Sequence, residues 1–179
     1  TYLWQYLLED DGQGFVKATL VRKFGNYSGK NEIEAIAVDD VLGYVYYSDE
    51  GVGVRKYYAD PDKPQANEQL ALFATEGFVQ DHEGIAIYDV YDGTGYILVS
   101  DQQGSRFQVF KREGEINNPH DHQLIYVFDV KAKECDGCEV TNVRLNEKFN
   151  AGLFVAMSND KTFHFYSWSD IAGDDLVVA

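Results

Sequence analysis

Positive charge is scarce in this chain: 15 Lys and Arg stand against 30 Asp and Glu, giving a formal net charge of -15 over 179 residues. Such a field repels nucleic acid and anionic membrane surfaces and favours cations, so a phosphate-rich ligand needs the charge neutralised first. The bases Lys17, Arg22, Lys23 and Lys30 are too scattered to make a nucleic-acid patch. No run approaches the ~18 apolar residues of a membrane helix. The opening Thr1-Tyr2-Leu3-Trp4 lacks the basic start of a signal peptide and reads as the inside of a strand, the expected result of processing or truncation. Only one Met and three Pro occur, whereas 13 Tyr and 11 Phe suit half-buried strands, where rings pack well on a pleated surface.

Cysteine is nearly absent too. Cys135 and Cys138 stand as Cys-Asp-Gly-Cys, without the second pair that a structural zinc site needs and without the helix start of a redox motif. A small disulfide closing an Asp-Gly turn and two free thiols both remain open readings.

What the chain does contain is a repeat. The stretch EAIAV from Glu34, followed by Gly43 to Asp49 (GYVYYSD) and an alternating run from Val52 to Tyr57, is echoed by EGIAI from Glu83, Gly95 to Asp101 (GYILVSD) and Phe107 to Arg112. A weaker third copy runs from Glu139 through Gly152 to Ser158 and on to Trp168. Each unit reads as a short strand, a turn, a buried apolar strand, a second turn and an alternating strand, with a fourth, outer strand expected to complete each sheet. Ala71–Phe73 and Leu124–Phe128 are candidates for outer strands, and Leu3–Leu8 with Phe15–Phe24 for an opening hairpin. Units of about fifty residues with four strands each are the mark of β-propeller blades. The competing architecture is a sandwich or barrel, which needs no near-copies at this spacing. Propellers close with about four to eight blades, and roughly three and a half fit here, so the remainder of a longer chain or a partner is expected to complete the ring.

The repeat makes Glu34 and Glu83 equivalent, each at the start of a leading strand where a propeller turns side chains toward its channel mouth. In Asp81-His82-Glu83 the two-residue alternation puts both carboxylates on one side and His82 on the other. Glu50 follows the second strand of its unit, and Asp136 precedes Glu139 at the third copy. Carboxylates gathered in this way need a cation, and a hard ion with oxygen ligands, calcium rather than zinc, answers best. By contrast Asp39, Asp40, Asp60, Asp62, Asp89, Asp92, Asp174 and Asp175 read as ordinary solvated turn residues.

These residues resemble a known family, the β-propeller phytases. Glu34 to Glu50 is similar to that family's Glu-Gly-Cys-Val-Ala-Asp-Asp-Glu-x-Gly-x-Leu-Tyr-x-Ala-Glu-Glu. Asp81 to Gly84 with Gly95 to Gly104 resembles its Asp-Ile-Glu-Gly and Gly-Tyr-Leu-Leu-x-Ser-Ser-Gln-Gly, and Asp136 to Val140 with Lys148 to Ala156 resembles its Asp-Gly-Ile-Asp-Val and Lys-Phe-Pro-x-Gly-Leu-Phe-Val-Ala. The resemblance implies a six-bladed propeller of which residues 1–179 form a partial domain, the C-terminal half, inactive alone and needing the N-terminal half for closure. It also implies a calcium-dependent phosphomonoesterase that hydrolyses calcium phytate to lower inositol phosphates. Carried over by position, Glu34, Glu50, Asp81, Glu83 and Asp136 become calcium ligands lining the cleavage site, the first four counted as catalytic. The loop Lys131 to Cys135 is shorter than the family's Asp-rich loop, leaving Glu134 or Asp129 as stand-ins for one ligand. A secreted or periplasmic location follows from the calcium and the resemblance. The rival is a non-catalytic calcium-binding propeller serving as a scaffold, since fold does not dictate function.

Other polar residues carry less. His120-Asp121-His122 reads as a hairpin loop rather than a metal site, His164 as packed in a terminal strand, and Arg106 as a strand-end charge in water. Ser48, Ser100 and Ser158 recur at strand ends, which suggests turn hydrogen bonding and not a nucleophile.

Overall fold

Apolar residues that alternate along a strand need a second surface on each side to cover them, and here the repeats cover one another. In the computed structural model, which describes residues 2–179, the first full repeat is a sheet of β3 (Ile36–Asp39), β4 (Tyr44–Asp49), β5 (Gly53–Tyr58) and β6 (Ala71–Phe73), paired antiparallel in chain order. The second is β7 (His82–Tyr91), β8 (Thr94–Asp101), β9 (Arg106–Lys111) and β10 (Leu124–Asp129) in the same order. Ahead of them β1 (Leu3–Asp10) and β2 (Val16–Phe24) form a two-stranded hairpin. The fold is all-β and propeller-like, built of four-stranded blades.

The third repeat departs from the expectation of a fourth strand. It has three strands among the described residues, β11 (Cys138–Thr141), β12 (Leu153–Ser158) and β13 (Thr162–Ser167). The chain then turns into the five-residue helix α1 (Trp168–Ala172). Trp168, fully buried, explains the turn: its ring stacks 4.0 Å from that of Tyr88 in the preceding blade, so the apolar surface is covered by a helix.

Three layers of core result. Phe24 packs with Val45, Tyr47 and Tyr57, joining hairpin to first blade. Tyr46, Val54 and Phe73 meet Ile85, Ile97, Val99 and Phe110, and the opposite face of that second blade, carrying Ala86, Leu98, Phe107 and Val109, meets Val140, Phe154 and Ala156. Successive residues Ile97 and Leu98 therefore serve different interfaces, as the pleat requires. Gly95 and Gly152, equivalent in the repeat, explain their own recurrence: a Cβ would lie 2.1 Å from the Tyr88 carbonyl oxygen in one case and 1.9 Å from that of Thr141 in the other.

Ser48 and Ser100 do more than close turns. The Ser48 hydroxyl donates to the Glu83 carbonyl at 2.8 Å and that of Ser100 to the Cys135 carbonyl at 2.8 Å, each reaching the next blade. Both serines are buried, so these bonds fix where the next leading strand begins. Ser158 instead accepts the Lys133 backbone N–H.

Candidate functional site

The serine bonds place the starts of the leading strands side by side, and the acidic residues ride on those starts. Glu34 is exposed just ahead of β3, Glu50 sits buried in the turn after β4, Glu83 is buried in β7, and Asp136 is exposed ahead of β11. These four, from three blades, share one electrostatic neighbourhood. Burial first, then a hydrogen bond with Glu50 and the charges of Glu50, Glu34 and Asp136, push the Glu83 carboxyl up to about 9. The Glu34 carboxyl is raised as well, by its hydrogen bond with Glu32, by burial and by the charges of Glu32, Glu50 and Asp136.

Asp81 lies ahead of β7 and is buried, but its neighbours are amides: Asn31, Gln80 and Gln103 each donate to its carboxylate. His82 turns the other way, its Nε2 2.6 Å from the Ala74 carbonyl and its ring against Phe78, as the alternation predicts. Glu32 is a member of the cluster that the sequence reading passed over. Its signal was present in Asn31-Glu32-Ile33-Glu34, where alternation sets Glu32 and Glu34 on one side; Glu32 also donates its backbone N–H to Glu50 at 3.0 Å.

No basic side chain forms an ion pair with Glu34, Glu50, Glu83 or Asp136 among the described residues. Glu83 is only 4% exposed, and its Oε2 has no hydrogen-bond partner. A buried carboxylate oxygen without a donor, surrounded by carboxylates, is the condition a hard cation relieves, and the all-oxygen donor set suits calcium. Among the described residues no three His, Cys, Asp or Glu side chains are grouped in a geometry that holds a metal ion.

Other sequence readings resolve here. His122 is buried and committed: its Nδ1 lies 2.7 Å from the Lys111 carbonyl and its Nε2 3.1 Å from Lys56 Nζ, leaving no lone pair for a metal. Cys135 and Cys138 are free thiols, Cys135 pushed up to about 11 by burial and Cys138 raised well above the usual range by the same cause. Arg106 is held by Asp101 at 2.7 Å and the Gly77 carbonyl. Glu134 accepts from Asn159. Asp39, read as a solvated turn residue, is instead wholly buried, because Arg112, the residue after β9, closes on it with two hydrogen bonds of 2.7 and 2.6 Å. Asp89 takes the same guanidinium at 2.7 Å, so it too is no plain turn residue.

The family model described as Phytase matches residues 2–170. The chain belongs to the phytase family. A 3-phytase of Bacillus subtilis (strain 168) is 25% identical over 94% of this chain, and the chain spans 46% of that relative's length. Among solved structures, that of the computationally designed Ika4 protein is similar with a TM-score of 0.51 at 14% identity, covering 90% of this chain and 84% of its own, a likeness of fold alone. This member of the phytase family thus carries the acidic cluster on a propeller-like array.

Proposed function

We propose that the full-length protein hydrolyses phytate as a calcium-dependent phosphomonoesterase, with Glu34, Glu50, Asp81, Glu83 and Asp136 as the residues that hold the metal. The observation that carries this reading is Glu83: a buried carboxylate with an unpartnered oxygen, ringed by Glu34, Glu50 and Asp136 and paired with no base, in a chain of the phytase family. Bound calcium would offset the acidic field, take phosphate oxygens as ligands and acidify the attacking water. The protein's own part is placement. Ser48 fixes the Glu83 backbone, the Glu32 N–H orients Glu50, and the three amides hold Asp81. Burial favours the protonated form of Glu83, and a bound cation would favour the ionised one.

Arg55, Arg106 and Arg112 are each committed to aspartates and so are not free to grip further phosphates. That shortage favours inactivity of these residues alone and assigns phosphate gripping to the rest of the propeller. It also keeps a second reading in view, a calcium-binding propeller without turnover. A secreted or periplasmic location, where calcium is plentiful, fits either reading.

The deciding experiment is phosphate release from calcium phytate by the full-length protein, with Glu50→Gln and a chelator as controls. Release lost in both controls supports the phosphatase. A folded, calcium-binding wild type that releases nothing supports the scaffold.

A further inference from the structure

The turn between β8 and β9 carries two neutral side chains into this acidic neighbourhood. Gln103 grips Asp81 twice: its Oε1 accepts the Asp81 backbone N–H at 3.0 Å, and its Nε2 donates to the Asp81 carboxylate at 2.8 Å. The same Nε2 donates to Gln102 Oε1 at 2.6 Å, and Gln102 Nε2 donates to the Asp136 carboxylate at 2.5 Å. An unbroken path of hydrogen bonds thus runs from Asp81, ahead of the second blade, to Asp136, ahead of the third.

Resting on the calcium reading above, we propose that Gln102 and Gln103 are positioning residues, a two-amide bridge that sets the spacing and orientation of Asp81 and Asp136 for a shared cation cluster.

Three features support it. The turn is anchored: Asp101, wholly buried, accepts the Val79 N–H at 2.9 Å and the Arg106 guanidinium at 2.7 Å, so the next two side chains are aimed from a fixed base. The internal repeat then makes Gln102 the counterpart of Glu50, since each follows the buried aspartate that ends the second strand, Asp101 or Asp49. One blade sends a carboxylate into the cluster at that position and the next sends an amide. Last, an amide is the donor this task needs. It orients a carboxylate by occupying one lone pair and leaves its charge intact, whereas Lys or Arg would neutralise the field that attracts the ion.

Gln102 is half-buried and Gln103 exposed, so their bonds add little to the stability of the metal-free fold. Their loss therefore separates positioning from folding. In the full-length protein, calorimetric calcium titration of Gln102→Ala, Gln103→Ala and the double variant is expected to show affinity lower by about 10-fold or more, the usual effect of removing a residue that orients a ligand. The calcium-free melting temperature should stay at the wild-type value, and raised calcium should restore turnover. Wild-type affinity in the double variant overturns the bridge, as does a calcium-free melting temperature that falls along with affinity. A wild type that binds no calcium overturns the metal reading itself, which the variants then have no part in.

Discussion

The two ends of the leading strands solve the same electrostatic problem in opposite ways. At the far end of β3 and β7, Asp39 and Asp89 share Arg112, which is 2% exposed and hydrogen-bonded to both. At the near end Glu34 and Glu83 meet Glu50 and Asp136 with no base between them. The paired end holds its own counterion and is structural. The repulsion at the unpaired end is relieved by protons or an external cation, and that is what makes it a candidate site.

The sharpest way to break the comparison is to remove a carboxylate from the unpaired end. Glu83→Gln keeps shape and removes the charge, so under the proposed calcium reading phosphate release by the full-length protein should fall by at least about 100-fold, the upper end for merely orienting residues. The calcium-induced rise in melting temperature should vanish with it. Retention of both would place the ion elsewhere.

Removing a carboxylate from the paired end should do the reverse. Asp39→Ala leaves Arg112 buried with only Asp89, and loss of one partner of a buried pair costs about 3–5 kcal/mol. Urea denaturation measures it, and calcium affinity should be unchanged in whatever fraction remains folded.

This pair also shows what could be read without coordinates. The blades and the equivalence of Glu34 with Glu83 follow from local pattern, because strand alternation and the glycine at the start of the second strand recur at nearly constant spacing. The burial of Asp39 is not legible locally, because the residue that buries it, Arg112, is 73 positions away, and no local signal announces a partner at that range. The turn into a helix after β13 had the same cause: Trp168 starts a helix and stacks on Tyr88, a contact made across blades. Glu32 was within reach of the alternation rule but stands outside the matched repeat. Ser48 and Ser100 were seen, and only their direction, across to the next blade rather than back into a turn, needed the structure.

A third buried charge sharpens the contrast, for Lys56 has no salt-bridge partner among the described residues and is wholly buried. Its Nζ donates to the Pro119 carbonyl at 2.6 Å, lies 3.1 Å from His122 Nε2 and sits 3.7 Å above the Tyr44 ring. Burial lowers its amine to about 7 from an ordinary 10.5, with Asp39 opposing, and burial followed by the Lys56 charge lowers His122 to about 4 from 6.5. Both groups bind protons more readily when unfolded, so their contribution to stability is present at high pH and lost on acidification. The windows are pH 10.5 to 7 for Lys56 and 6.5 to 4 for His122. Urea midpoints followed across this range should fall with acid in wild type, and the difference from Lys56→Met/His122→Phe isolates the effect from that of the carboxylates. Equal slopes in both proteins would show that Lys56 and His122 do not titrate with folding.

The smallest effect tests how the two ends are kept in register. Ser48 and Ser100 each donate one buried hydrogen bond to the next blade, at Glu83 and Cys135, so Ser48→Ala and Ser100→Ala should each cost about 1–2 kcal/mol, the net bond plus an unsatisfied carbonyl. Ser158, which accepts from Lys133 and reaches no further blade among the described residues, supplies the control. Ser158→Ala should lower stability without touching calcium affinity. Ser48→Ala should lower both, because the carbonyl it releases belongs to Glu83 itself. If all three variants lose stability alone, the serines hold the blades together without aiming the carboxylates, and the site owes its geometry to side chains rather than to the backbone that carries them.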